Sequence, residues 1–115
     1  MKAKSFEIWL ANPDPGFGDE AGKTRPVLIV QTDLLNKVHP STLICPITTN
    51  IKPDSQILRA HIVKDAAKVN EDCDIMIDQI RAIDNKRLMK KIGEVPGKIC
   101  EKVKQNLRII LDLDE

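Results

Sequence analysis

At 115 residues the chain is long enough to bury one hydrophobic core without disulfide staples, which points to a single domain over 1–115. Its 18 lysines and arginines nearly cancel 17 aspartates and glutamates, and 42% of the residues are apolar, a globular composition that excludes a disordered or collagen-like chain. No run reaches the length of a membrane span and the N-terminus lacks the apolar core of a signal peptide, so the expected location is the cytoplasm.

In chain order, "FEIWLA" (6–11) alternates, with Phe6, Ile8 and Leu10 on one face and Glu7 and Trp9 on the other, the pattern of a half-buried strand. "NPDPGFGDEAGK" (12–23) carries two prolines and three glycines and predicts a long irregular loop, of a length that compact domains keep mainly for function. "TRPVLIVQT" (24–32) is apolar almost throughout and reads as a central strand, with Pro26 tolerated near its start. "DLLNKVHP" has room for about one helical turn before Pro40.

"STLICPITT" (41–49) is a further strand in which Pro46 suggests an edge or a bulge. "ILRAHIV" (57–63) alternates, with Leu58, Ala60 and Ile62 inward and Arg59 and His61 outward. "DIMIDQIRAI" (74–83) reads as one strand interrupted by Asp78, Gln79 and Arg81, and Asp84 is a good N-cap for a short basic helix over "NKRLMKKI". "GEV" suggests a brief last strand. The tail "GKICEKVKQNLRIILDL" (97–113) has the strongest helical signal, with Ile99, Val103, Leu107 and Ile110 on one stripe. Together these elements predict a mainly β (α+β) domain: a small, strongly curved barrel with short helices and an amphipathic C-terminal helix packed against it.

Gly22-Lys23-Thr24 superficially suggests a nucleotide phosphate loop. That loop requires a glycine where Phe17 stands, and it opens a helix, whereas a strand follows here. Cys45, Cys73 and Cys100 are odd in number and form no C-x-x-C pair, and His39 and His61 are isolated, so no metal site is expected.

Three places interrupt the apolar pattern. Arg25 opens a strand otherwise made of apolar residues; it either faces solvent, pairing with Asp19 or Glu20, or presents a two-pronged guanidinium to phosphate. Thr48 and Thr49 end an apolar strand, where their hydroxyls are either ordinary strand residues or phosphate ligands. Asp78, Gln79 and Arg81 are either an exposed strand face or part of a site. With only Phe6, Trp9 and Phe17 as aromatics, the chain lacks the stacking sheet of a general single-strand binder.

The order "IWLANPDPGFGDEAGKTRPVLIVQTDLLN", "PITTN", "DQIRAIDNKRL" and a terminal amphipathic helix resembles the MazF/PemK family of toxin–antitoxin ribonucleases over nearly the whole chain. The resemblance implies an SH3-like curved β-barrel acting as a homodimer. It implies cleavage of single-stranded RNA at short sequences, without metal or other cofactor, which stops translation and growth, and a cognate antitoxin as partner. By position, Arg25 and Thr48 match the pair that the family uses at the scissile phosphate, and Phe17, Glu20, Asn36, Thr49, Asp78 and Gln79 become RNA contacts.

Two departures matter. Gly18-Asp19-Glu20 stands where many members have Gly-Ser-Glu, and Met76 occupies the position where one branch has an arginine assisting the carboxylate that matches Asp78. The general base is therefore unassigned. Two other readings are a toxin of the same fold that inhibits DNA gyrase, and a barrel that binds nucleic acid without cutting it. The gyrase poisons rely on a tryptophan near the C-terminus, whereas this chain ends "LRIILDLDE".

Overall fold

The computed structural model describes residues 2–12 and 24–113. Strands β1 (Glu7–Ala11), β2 (Arg25–Ile29), β3 (Ser41–Thr48), β4 (Arg59–Ile62), β5 (Cys73–Met76), β6 (Arg81–Asp84) and β7 (Leu88–Glu94) form one antiparallel sheet in the order β4-β5-β3-β2-β1-β7, with β6 also on β3. A one-turn helix α1 (Asp33–Asn36) joins β2 to β3, and α2 (Gly97–Ile110) closes the chain, packed on β4 and the turn after β5. The sheet is curled rather than closed, and the mainly β architecture with a terminal helix is the one expected.

The long strand β3 organises the rest. One edge pairs with β2; the other is shared, with β6 opposite Ser41–Ile44 and β5 opposite Ile47 and Thr48. Pro46 therefore lies on a strand paired along both sides, not on an edge. It falls where the second edge changes partner, so the missing proline N–H does not break a continuous ladder.

The same junction explains why 74–83 is not one strand. Between Ile47 and Ile44, three residues along β3, the opposite chain runs six, from Ile75 to Arg81. The excess is extruded as a 3₁₀ turn, Ile77–Gln79, which buries Ile77 and leaves Asp78 and Gln79 exposed.

Strand β1 is also buried on both sides rather than one. Ile8 belongs to a core with Leu28, Cys45, Ile47, Ala60, Ile62, Ile75 and Val103 of α2; Trp9 belongs to a second core with Ala11, Val27, Ile29, Ile44, Ile83 and Leu88. The Trp9 indole donates to Glu7 Oε1 at 2.9 Å, and Glu7 is itself buried, taking the Lys4 N–H at 2.9 Å and Lys91 at 3.1 Å. Burial alone raises the Glu7 pKa, but these donors outweigh it and leave the carboxyl below its ordinary value. Phe6 has φ 67° and stands outside the strand.

The basic helix expected after Asp84 is limited to a single 3₁₀ turn, Asn85–Arg87. Asp84 does cap it, accepting from the Lys86 N–H at 2.9 Å. Leu88 then enters the second core, and 88–94 pairs with the free edge of β1, so tertiary pairing overrides the local cap. In α2, Val103 is fully buried as expected; Asn106, 2% exposed, donates to Gln56 O at 3.2 Å and Arg59 O at 3.3 Å and ties the helix to the start of β4.

Candidate active site

The ladders set four polar residues in one row. Thr48 pairs directly with Asp74, and Asp74 pairs with His61. On the other side of β3 the ladder with β2 ends at Val27↔Pro46; Arg25 and Thr48 each lie two residues beyond that pair on their own strands, and so on the same face. Residues directly opposite one another share a face, so Arg25, Thr48, Asp74 and His61 lie on the same side at one end of the sheet.

Arg25 is exposed and has no carboxylate partner among the described residues. Thr48 Oγ1 accepts the Asn50 N–H at 3.1 Å, which occupies an acceptor position and leaves the hydroxyl proton to donate. Both residues line a cavity of about 350 Å³ together with Thr49, Lys68, Asn70, Glu71 and Cys73. Two cations, Arg25 and Lys68, and three threonine hydroxyls, Thr24, Thr48 and Thr49, around one space suit an anion carrying several oxygens, with Glu71 as the carboxylate among the described lining residues. Cys73 is no nucleophile there. Burial first, then Asp74, Asp72 and Glu71, push its thiol up to about 11, so it is protonated at neutral pH.

The other expected contacts divide. Thr49 lies in the Arg25 cavity, while Asp78 and Gln79 line a separate groove of about 470 Å³ with Lys52, Ser55 and Arg59. Asn36 is in neither. Its side chain is buried and spent: Oδ1 accepts from Gln31 Nε2 at 2.9 Å, and Nδ2 donates to Gln31 O at 3.0 Å and to Asp33 at 2.8 Å. Phe17 and Glu20 lie outside the described residues. Sequence reasoning missed Lys68, Asn70 and Glu71, which sit in a stretch without pattern, and Asp74. The signal for Asp74 was a charge heading an apolar strand beside the outward Arg59 and His61.

Asp74 is fully buried yet ionised. Burial raises its pKa, and the Lys52 N–H at 2.8 Å, His61 Nδ1 and Arg59 Nη1 at 3.0 Å together outweigh that and hold it below the ordinary carboxylate value. Among the described residues, no cluster of three or more histidine, cysteine or acidic side chains is arranged to hold a metal ion.

Residues 4–111 match the family model of the PemK-like, MazF-like toxins of type II toxin–antitoxin systems. The chain belongs to this family. Endoribonuclease EndoA of Bacillus subtilis (strain 168) is 34% identical over 115 residues, 98% of this chain and 97% of the relative. Among solved structures, the Mycobacterium tuberculosis toxin MazF-mt6 superposes with a TM-score of 0.78 at 19% identity, covering 95% of this chain and 99% of its own. A MazE–MazF structure from Deinococcus radiodurans gives 0.79 at 18% identity, with 99% of each chain covered. Such likenesses, at low identity, report the fold: the seven-stranded curled sheet with a terminal helix is that of the MazF-like toxins.

Proposed function

We propose that this protein is the toxin of a type II toxin–antitoxin pair and a sequence-specific endoribonuclease that cleaves single-stranded RNA at the Arg25–Thr48 cavity. The observation that carries the reading is a guanidinium with no carboxylate partner among the described residues, sharing one cavity with a threonine whose proton is free, in a chain of this family. The similarity to an endoribonuclease over nearly the full length of both chains supports the same reaction.

In that reaction the RNA 2′-oxygen attacks the adjacent phosphorus, the bond to the 5′-oxygen breaks, and the leaving 5′-oxygen takes up a proton from solvent, so that a 2′,3′-cyclic phosphate and a 5′-hydroxyl result. Negative charge grows on the non-bridging oxygens. Arg25 meets it with a fixed fork of donors and Thr48 with one hydroxyl, and preorganised donors of this kind are worth roughly 2.7–4 kcal/mol each in the transition state. The 2′-proton needs an acceptor. Glu71 is the carboxylate among the described residues lining this cavity, whereas Asp78 lies in the other groove; Glu71 is therefore the base in this scheme. Gln79, Arg59 and Lys52 in the second groove bind the flanking nucleotides.

The remaining parts of the reading are a homodimer, a cytoplasmic location and an antitoxin that covers these cavities. A MazE–MazF complex and an endoribonuclease bound to its cognate antitoxin are among the similar structures. No helix among the described residues is long and apolar enough to cross a membrane. Gyrase poisoning is the weaker reading, because the sole tryptophan, Trp9, is 5% exposed and bonded to Glu7 inside the sheet.

The test is incubation of the purified protein, freed of any antitoxin, with two long single-stranded RNAs of unrelated sequence in EDTA, beside Arg25→Ala. Discrete fragments with 5′-hydroxyl ends, absent with Arg25→Ala, are expected. Intact RNA in both cases overturns the ribonuclease reading.

A further inference from the structure

The turn that follows Thr48 is held at three points, two of which lead to one buried carboxylate. Thr48 Oγ1 accepts the Asn50 N–H at 3.1 Å. The Asn50 carbonyl accepts from Arg59 Nη1 at 3.0 Å, and that same Nη1 reaches Asp74 Oδ2 at 3.0 Å. Two residues on, the Lys52 N–H donates to Asp74 Oδ2 at 2.8 Å. His61 takes the other oxygen, Oδ1, through Nδ1, and as the partner of an ionised carboxylate that nitrogen carries the proton.

We propose that Asp74 is a positioning residue for the cleavage reaction, acting with Arg59 through the 49–52 turn to set the direction of the Thr48 hydroxyl. The inference rests on the ribonuclease reading above. Its physical basis is the cost of the arrangement. A carboxylate taken wholly out of water in the middle of a ladder is stabilising only when its lone pairs are filled, and an apolar residue of similar volume holds such a strand equally well. What an apolar residue does not do is bind a backbone N–H and a guanidinium belonging to the turn beside the reacting group. Thr48 and Asp74 are also direct cross-strand partners, so backbone pairing holds the strand that carries the hydroxyl while the carboxylate holds the turn whose N–H directs its lone pairs. Arg59 and Lys52 line the groove that contains Gln79, so the same network links that groove to the Thr48 cavity.

A double-mutant cycle on cleavage of a short RNA carrying the target site tests this. Asp74→Val is measured in the natural chain and in Thr48→Val under single-turnover conditions, with thermal unfolding of each variant. With Thr48 present, the cleavage rate falls about tenfold; with Thr48→Val the further loss is under about twofold, because the hydroxyl being positioned is already gone. Equal losses in the two backgrounds mean that Asp74 serves the fold alone and overturn the proposal. Should Asp74→Val not fold, Arg59→Met, which removes the links to Asn50 and Asp74 together, is read in the same cycle at saturating protein, where loss of its nucleotide contact does not enter the rate. Failure of the unmodified protein to cut any RNA overturns the ribonuclease reading itself; cleavage with an additive cycle overturns only the role of Asp74.

Discussion

Thr48 and Asp74 face each other across the β3–β5 ladder, one half-buried with a proton to give, the other fully buried with its oxygens occupied. In the proposed reaction the pairing separates two jobs that a single strand position cannot do together: contact with an anion and anchorage of the backbone.

The hydroxyl can be removed without disturbing the strand. Thr48→Val keeps the branched shape and is expected to lower the cleavage rate by about 10²–10³, with little change in melting temperature. Thr48→Ser, which keeps the donor, is expected to stay within about tenfold of the natural chain. Single-turnover kinetics on a defined RNA, read beside thermal unfolding, check both.

Asn36 matches an RNA contact by resemblance, but its amide is locked to Gln31 and Asp33. Asn36→Ala leaves the Gln31 side chain short of a partner inside the protein, at a cost of about 1–3 kcal/mol. Urea unfolding is expected to show that loss, and RNA affinity of the still-folded protein is expected to be unchanged. A drop in affinity at unchanged stability would contradict the structural assignment.

Gly93 passes close beneath the loop before β5. A Cβ added there would stand 2.6 Å from the Ala67 carbonyl oxygen and 3.3 Å from its carbon, so one backbone must move. Gly93→Ala is expected to destabilise by about 1–3 kcal/mol. The displaced segment continues into Lys68, Asn70 and Glu71 of the cavity, so cleavage is expected to fall at temperatures where the variant is still folded.

Acid sensitivity follows from Asp74 and Glu7, both buried and both held below their ordinary values of 3.8 and 4.5. The unfolded chain then binds protons at higher pH than the folded one. Their contribution is complete above those ordinary values and is lost as pH falls through the lowered folded ones. Urea midpoints measured from pH 7 down to pH 3 should be level at first and decline steadily below about pH 4.5. Asp74→Asn, which has no proton to take up at that site, should start lower and decline less steeply.

Much of this molecule is legible one element at a time. The apolar run after Arg25, the single turn at 33–36 and the helical stripe from Ile99 to Ile110 depend on neighbours in the chain, and each forms where its pattern lies. The candidate pair was also visible, since Arg25 and Thr48 break apolar strands and match the family by position. Trp9 was misplaced on an outer face because local alternation does not report a second core behind the sheet. The basic segment 88–94 became a strand because β1 had an edge to fill.

What the sequence by itself determined was the kind of protein: a mainly β fold with a terminal helix, and the residue types set at the ends of β2 and β3. Those follow from periodicity, turn chemistry and motif order, all of which are short-range in the chain. Only the tertiary structure decided which of these residues meet. The register of β3 against β2 and β5 lines up Arg25, Thr48, Asp74 and His61, the extra residues opposite Ile44–Ile47 send Asp78 and Gln79 into a different groove, and Asn36 is turned inward. The physical reason is that strand register is set by how apolar faces pack between strands far apart in the chain, and a shift of one residue would turn every one of these side chains to the opposite face.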